Sequence, residues 1–484
     1  MNAPVRRLSM LVGALFATLL VSTTLIQYVF AADLNARPDN RRTLLATYGR
    51  ERGEILVGQD AIARSVPTDD EFQFQREYAE PRRYAHVTGF YSFYGAVSGL
   101  EQSRDSLLSG ASDKLFYRRV SDLFTGRRPQ GATLETTLDP AVQKAADEGL
   151  GDARGAAVAL DPKTGAILAM VSKPSYDPNS VAGHDLGELD ETYQKLTQQS
   201  DRPLLNRAVG GDLYPPGSVF KIVTAAAALS DGEYTEDSVF PGGNELDLPL
   251  TSATLPNHDG VACDPSGEVT LRRAVIVSCN TAFGDLGMKL GATALQEQAA
   301  KFGFGDALSV PMRVTPSSVP NELNEPQLAQ SAIGQFDVRV TPMQMAMVAS
   351  GVANDGVVMQ PYLVESVIGS DLSVIESADP RELSEAVSPD VASTLTDMMV
   401  ATVDEGTGRR AQIPGVDVAG KTGTAEHGEG RRAHAWFISF APADDPQIAV
   451  AVIVEDGGTA GSETSGGAVA APIARQMMEA RLNR

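Results

Sequence analysis

The stretch Pro215-Pro216-Gly217-Ser218-Val219-Phe220-Lys221-Ile222-Val223-Thr224-Ala225-Ala226-Ala227-Ala228-Leu229 reads as a stop followed by a helix. Pro-Pro-Gly ends whatever precedes it, and the apolar, alanine-rich run predicts a helix starting at Ser218. Ser218 and Lys221 are three apart on one helical face, where an amine can take the proton of a serine hydroxyl. A lysine with its ordinary pKa near 10.4 is almost wholly protonated at pH 7, so the site must depress it by burial or a second cation. Of the nine lysines only Lys221 has a serine three residues before it. Taken alone, the pair reads better as a capping serine beside a surface lysine.

Two later segments change that balance. Ser278-Cys279-Asn280 is the only Ser-x-Asn in the chain, and it offers a hydroxyl to relay a proton and an amide to hold a peptide carbonyl. Val418-Ala419-Gly420-Lys421-Thr422-Gly423-Thr424-Ala425 reads as a strand bearing a cation, hydroxyls, and a glycine, Gly423, that lets a ligand approach the backbone. Lys421 is the natural second cation for Lys221. The same triplet at Lys163-Thr164-Gly165 precedes Ser218 and falls in a turn, so it is assigned a structural role.

Further outward, Ala157-Val158-Ala159-Leu160 and Ala166-Ile167-Leu168-Ala169-Met170-Val171 flank that turn and predict a hairpin. Trp436-Phe437-Ile438-Ser439-Phe440 and Ile448-Ala449-Val450-Ala451-Val452-Ile453-Val454 form a second antiparallel pair. With helical segments such as 222–229 and 391–400 between them, the fold class is α+β. Helices pack on a central antiparallel sheet built from both ends of residues 151–484. Residues 33–150 read as a smaller strand-rich domain without evident chemistry, with mixed charges at Asp39-Asn40-Arg41-Arg42.

Leu8 to Ala32 is a run of 25 residues without a charge, long enough to cross a bilayer. Arg6 and Arg7 before it predict a short cytoplasmic tail, residues 1–7, and a chain that is extracytoplasmic after Asp33. A cleaved signal ending near Ala31 is the alternative to a retained anchor. In an oxidising exterior Cys263 and Cys279 are expected to form a disulfide, the alternative being two buried thiols. Against 40 Lys and Arg stand 62 Asp and Glu, and the net charge of −22 repels phosphate backbones, which argues against a nucleic-acid partner.

The three motifs in this order are those of penicillin-binding proteins and class A β-lactamases. The chain resembles a class B penicillin-binding protein, most closely the short actinobacterial A type. The likeness extends through Arg52-Gly53-Glu54-Ile55, Leu160-Asp161-Pro162, Ile333-Gly334-Gln335, Thr341-Pro342 and Gly406-Thr407-Gly408. The resemblance implies a five-stranded central sheet and a D,D-transpeptidase that acts on peptidoglycan stem peptides and is acylated by β-lactams. It gives Ser218 as nucleophile, Lys221 as base, Ser278 as proton relay, and Lys421 as the residue that sets the field. Asn280, Thr422, Gly423 and Thr424 are its substrate-binding positions, and the Ser218 and Thr424 N–H groups its oxyanion hole. Cys279 departs from the family's Asp at the middle of the second motif.

Competing readings remain. A β-lactamase needs Glu-x-Glu-Leu-Asn; here Glu322-Leu323-Asn324 is preceded by Pro320 where the first Glu would stand. A D,D-carboxypeptidase shares all three motifs. A β-lactam sensor would need a signalling domain, and a divisome scaffold need not keep the motifs. A glycan polymerase does not fit in residues 33–150, which implies a separate polymerising partner. No cofactor is indicated, and His86, His184, His258, His427 and His434 form no His-Glu-x-x-His metal motif. His427 and His434 lie near the Lys421 strand, where a turn role is as good a reading as a cleft role. Trp436 reads as a core strand residue.

Overall fold

From Ala3 to Thr24 the chain forms helix α1, which closes in a π turn at Leu25–Val29. None of its residues is buried, and Ala3–Val29 is long and apolar enough to cross a membrane. The helix starts ahead of the uncharged run and takes in Arg6 and Arg7. The computed structural model describes residues 3–30, 34, 48–93, 95–115, 130–258, 260–428, 431–458 and 465–483. Ala31, Ala32 and the charged run 39–42 lie outside the described residues.

The next strands are short: β1 (Ile55–Val57), β2 (Asp60–Pro67), β3 (Phe74–Tyr78) and β4 (Thr133–Thr136). β1 pairs antiparallel with β2 and parallel with β4. Beneath them a buried carboxylate, Glu101, receives Arg52 at 2.5 Å and Arg76 at 2.7 Å. Helix α2 (Pro140–Leu150) follows, capped by Asp139, which accepts from the N–H groups of Ala141 and Val142.

The expected hairpin is present as β5 (Gly155–Leu160) and β6 (Ile167–Lys173). Asp161 Oδ1 accepts from the N–H groups of Lys163 and Thr164 at its turn, and Lys163 pairs with Asp445 at the surface. This copy of the triplet is therefore structural. Among the helices that follow are α3 (Lys221–Asp231), α4 (Leu271–Val277), α5 (Asn280–Lys301, kinked at Gly291) and α6 (Pro342–Ala353). Two strands then return to the first sheet: β7 (Val364–Ile368) pairs with β4, and β8 (Val374–Ser377) with β7. The six-stranded order is β8-β7-β4-β1-β2-β3. Strands from both sides of residue 150 thus share one sheet, so a boundary there divides the chain but not the sheet.

After α7 (Pro389–Asp404) come β9 (Ala419–Ala425), β10 (His434–Ala441), β11 (Ile448–Val454) and α8 (Gly466–Leu482). The central sheet has the order β9-β10-β11-β5-β6, with every neighbouring pair antiparallel. Its inner strands β5 and β11 are apolar throughout because both faces are covered, whereas edge strand β9 carries Lys421, Thr422 and Thr424. Trp436, Ile438 and Phe440 enter the core on the side of α3 and α6, while Phe437, Val450 and Val452 meet α2 and α8. β9 is left as an edge, and that edge faces the turn ahead of α3.

Candidate active site

Gly217 holds the nucleophile turn. It has φ +56°, its N–H donates to Gly334 O at 2.9 Å, and a Cβ there would lie 2.7 Å from Thr424 O. Only a residue tolerant of the left-handed region and lacking a side chain fits. Gly217–Phe220 is a 3-10 turn and the α-helix begins at Lys221, one turn later than the sequence suggests. Such turns commonly lead into α-helices. Trp436 Nε1 donates to Pro215 O at 3.0 Å, so the core tryptophan also anchors this turn. Ser218 is half-buried.

Lys221 has no exposed surface. Its Nζ donates to Ser278 O at 2.8 Å and Asn280 Oδ1 at 2.7 Å, and lies 3.5 Å from Ser278 Oγ. The direct Ser218–Lys221 hydrogen bond expected from the spacing is not among the bonds of the described residues. The amine points instead at the second motif, whose two carbonyl oxygens take its donors. Burial first, and then the charge of Lys421, push Lys221 well below the usual lysine range.

The second motif joins two helices. Ser278 ends α4 in the left-handed region at φ +61°, Cys279 is the N-cap of α5, and Cys279 is disulfide-bonded to Cys263. A non-glycine residue with positive φ is strained, and such strain is concentrated at functional positions. Asn280 Nδ2 donates to Pro256 O at 2.9 Å, which turns its Oδ1 toward Lys221. Asn257, which the sequence reading did not single out, accepts from the N–H groups of Asn280 and Thr281. Nothing but its place in a Pro-Asn pair ahead of the cysteines would have marked it.

The third motif lies on edge strand β9, against the nucleophile turn. Lys421, also without exposed surface, donates to Ser278 Oγ at 2.8 Å and Thr422 O at 3.0 Å, and burial pushes its pKa down to about 7. A Cβ on Gly423 would lie 3.0 Å from Pro216 O and from Val219 Cγ1, so the glycine lets strand and turn close up. Thr424 is half-buried beside Gly217. Thr422 Oγ1 is 2.6 Å from Thr407 Oγ1, which brings the Gly406-Thr407-Gly408 loop into the site. Ser218, Lys221, Ser278, Asn280, Lys421, Thr422, Gly423 and Thr424 are therefore brought together around the nucleophile turn.

His427 and His434 stack with ring centroids 3.6 Å apart at 8°, and offer ligand atoms together with Asp456. A metal ion lies in the plane of each imidazole that binds it, and two parallel planes at this spacing cannot share one. His434 Nδ1 is already taken by the Asp456 N–H at 3.1 Å, and burial pushes its pKa down to about 4. Glu322 is exposed, and Asn324 is the N-cap of a short helix with Gln327 completing a capping box. The Glu-Leu-Asn triplet is a surface helix start rather than a source of catalytic base.

A buried amine pair around a serine hydroxyl, one amine on a helix and the other on an edge strand that packs against the nucleophile turn, defines a serine acyltransferase of the penicillin-binding class. Residues 155–479 match the penicillin binding protein transpeptidase domain, and residues 52–134 match the penicillin binding protein A dimerisation domain. The chain belongs to the penicillin-binding protein transpeptidase family. It is 46% identical to the peptidoglycan D,D-transpeptidase PbpA of Mycolicibacterium smegmatis, across 100% of this chain and 99% of that one. Identity to the PbpA of Mycobacterium tuberculosis is 44%, with the same coverage. The fold superposes on penicillin-binding protein A from M. tuberculosis in its ceftriaxone acyl-enzyme complex with TM-score 0.88 and 43% identity, covering 91% of this chain and 100% of that one.

Proposed function

We infer that this protein is a peptidoglycan D,D-transpeptidase working through an acyl-enzyme on Ser218. Ser218 Oγ attacks the carbonyl carbon of the terminal D-Ala-D-Ala peptide bond, and its proton passes to Lys221 Nζ. A neutral amine has two N–H groups and one lone pair. The two donors are engaged by Ser278 O and Asn280 Oδ1, which leaves the lone pair to accept. The oxyanion is stabilised by the N–H groups of Ser218 and Thr424, each worth about 3 kcal/mol in comparable sites. Lys421 donates to Ser278 Oγ, so that hydroxyl's own proton is free for the departing amine, and Lys221 resupplies it. The C–N bond breaks, D-Ala leaves, and an ester remains on Ser218. The amine of a neighbouring stem then attacks the ester; its proton returns through the same relay to Ser218 Oγ as the C–O bond breaks. A donor stem can lie along β9 as an added strand, with Asn280, Thr422 and Gly423 at its sides. A β-lactam enters the first step and stays attached.

The observation that carries this reading is the fully buried Lys221, pushed well below the usual lysine range by burial and by Lys421 and bonded to the second motif. Ser218→Ala should abolish covalent labelling by a fluorescent penicillin; labelling at the wild-type rate would overturn the assignment. Cross-linked product measured against free D-alanine separates transfer to an amine from hydrolysis by water.

The apolar helix, with Arg6 and Arg7 at its start, supports a reading of the arrangement in the envelope. α1 anchors the protein, residues 1–7 stay cytoplasmic, and everything after the anchor lies outside the membrane as an N-terminal domain followed by the transpeptidase domain from 151 onward. A separate membrane enzyme polymerises the glycan strands that this one cross-links, since residues 33–150 have no room for that activity.

A further inference from the structure

We infer that Asn257 is the helix cap of the second motif and, through it, a positioning residue for Lys221. The inference rests on the acyl-enzyme reading above. The N-cap of α5 is Cys279, whose backbone is extended and whose side chain makes no capping bond. It has none to make, because its sulfur is joined to Cys263. A helix start leaves its first N–H groups without intrahelical partners, and an Asp at the N-cap, as in the family's usual second motif, would accept from them. Here the acceptor comes from another segment. Asn257 Oδ1 receives the N–H of Asn280 at 2.9 Å and of Thr281 at 3.2 Å.

Asn257 is itself held on its other side. Only 8% exposed, it donates through Nδ2 to Gly243 O at 2.8 Å and Val261 O at 2.9 Å. Its neighbour Pro256 accepts from Asn280 Nδ2, so the 256–257 pair fixes both the backbone and the side chain of Asn280. Asn280 Oδ1 takes one of the two N–H groups of neutral Lys221. The cap therefore sets the direction of the lone pair that receives the Ser218 proton. With Cys in place of Asp at position 279 the chain has a covalent tie and no side-chain cap there; Asn257 takes the Thr281 N–H that such a cap would take, and the Asn280 N–H as well.

The test is a double-mutant cycle on the full chain, reading the second-order rate of acylation by a fluorescent penicillin from pH 5 to 9. Mapping the wild-type adduct to Ser218 comes first; an adduct elsewhere defeats the acyl-enzyme reading itself, separately from the cap. Asn257→Ala should slow acylation about tenfold or more, about 1.4 kcal/mol in barrier. It should also move the acid limb to higher pH, because a loosened Lys221 regains solvent. In the Cys263→Ser/Cys279→Asp background, where the helix caps itself, Asn257→Ala should change the rate by less than about threefold. Equal losses in both backgrounds, or a lowered melting temperature with rate and pH profile unchanged, would overturn the proposal. If Asn257→Ala does not fold with its cysteines, the same substitution is read within the Cys263→Ser/Cys279→Asp background alone, where acylation within about threefold of that background is expected and a loss of about tenfold or more overturns the proposal.

Discussion

Two amines without exposed surface approach Ser278 Oγ, Lys421 at 2.8 Å and Lys221 at 3.5 Å. Two cations this close in a dry site repel each other, so only one amine stays protonated near neutrality. Burial lowers both, and Lys221 falls further because it also feels Lys421. The sign of the pH dependence follows. Acylation should rise with pH as Lys221 loses its proton, well below the usual lysine range, and should decline through about pH 7 as Lys421 loses the charge that polarises Ser278. Lys421→Arg keeps a cation that does not titrate in this range, so its alkaline limb should move above about pH 9 even if the rate drops. Stopped-flow acylation at a series of pH values checks this. An alkaline limb that stays in place would show that another group titrates there.

Elements owe their placement here to a few backbone positions. Gly334 has φ +74°, and a Cβ on it would lie 2.2 Å from Gly217 O and 2.8 Å from Phe220 Cβ, directly behind the nucleophile. Gly232 ends α3 at a similar φ, +81°, with nothing within 4 Å. Alanine costs about 1–2 kcal/mol at either site for the backbone alone. At Gly334 it must also displace the turn that carries Ser218. Gly334→Ala should therefore cut penicillin acylation at least about a hundredfold, while Gly232→Ala lowers the melting temperature and leaves acylation intact. Equal acylation in the two variants would show that the turn tolerates movement. The helix at 221–231, the hairpin 155–173 and the strands of 434–454 were legible because apolar runs between turn residues report local order. So were the chemical groups of the site, through the order and spacing of three short motifs. The start of α3 was misread by one turn, since a 3-10 entry and an α entry look alike in sequence. The direction of Lys221 and the role of Asn257 were not legible. Both depend on acceptors that lie 23 to 59 residues away along the chain and come together only when the fold is complete.

At the scale of the molecule, the two halves are joined by more than a covalent link. β7 and β8 leave the catalytic half to complete the N-terminal sheet, where Val367↔Leu134 and Ile368↔Thr133 are paired across β7 and β4. Leu134, Leu363 and Val367 at this seam are at most 1% exposed, and Lys114 reaches Glu376 on β8 at 2.8 Å. Burying each such side chain is worth roughly 1.5–3 kcal/mol, so separating the sheet would bare an apolar face and a free strand edge together. A chain beginning at Thr137 keeps α2 and the whole central sheet but deletes β1 to β4. It should melt at least about 10 °C below a chain beginning at Tyr48, or aggregate, although every residue assigned to the chemistry is present. Thermal unfolding and penicillin labelling of the two truncated proteins, side by side, give the comparison. Equal melting temperatures and equal labelling would make the catalytic half self-sufficient and the six-stranded sheet an accessory; a collapse of both would mean that the transpeptidase fold is completed by its N-terminal neighbour.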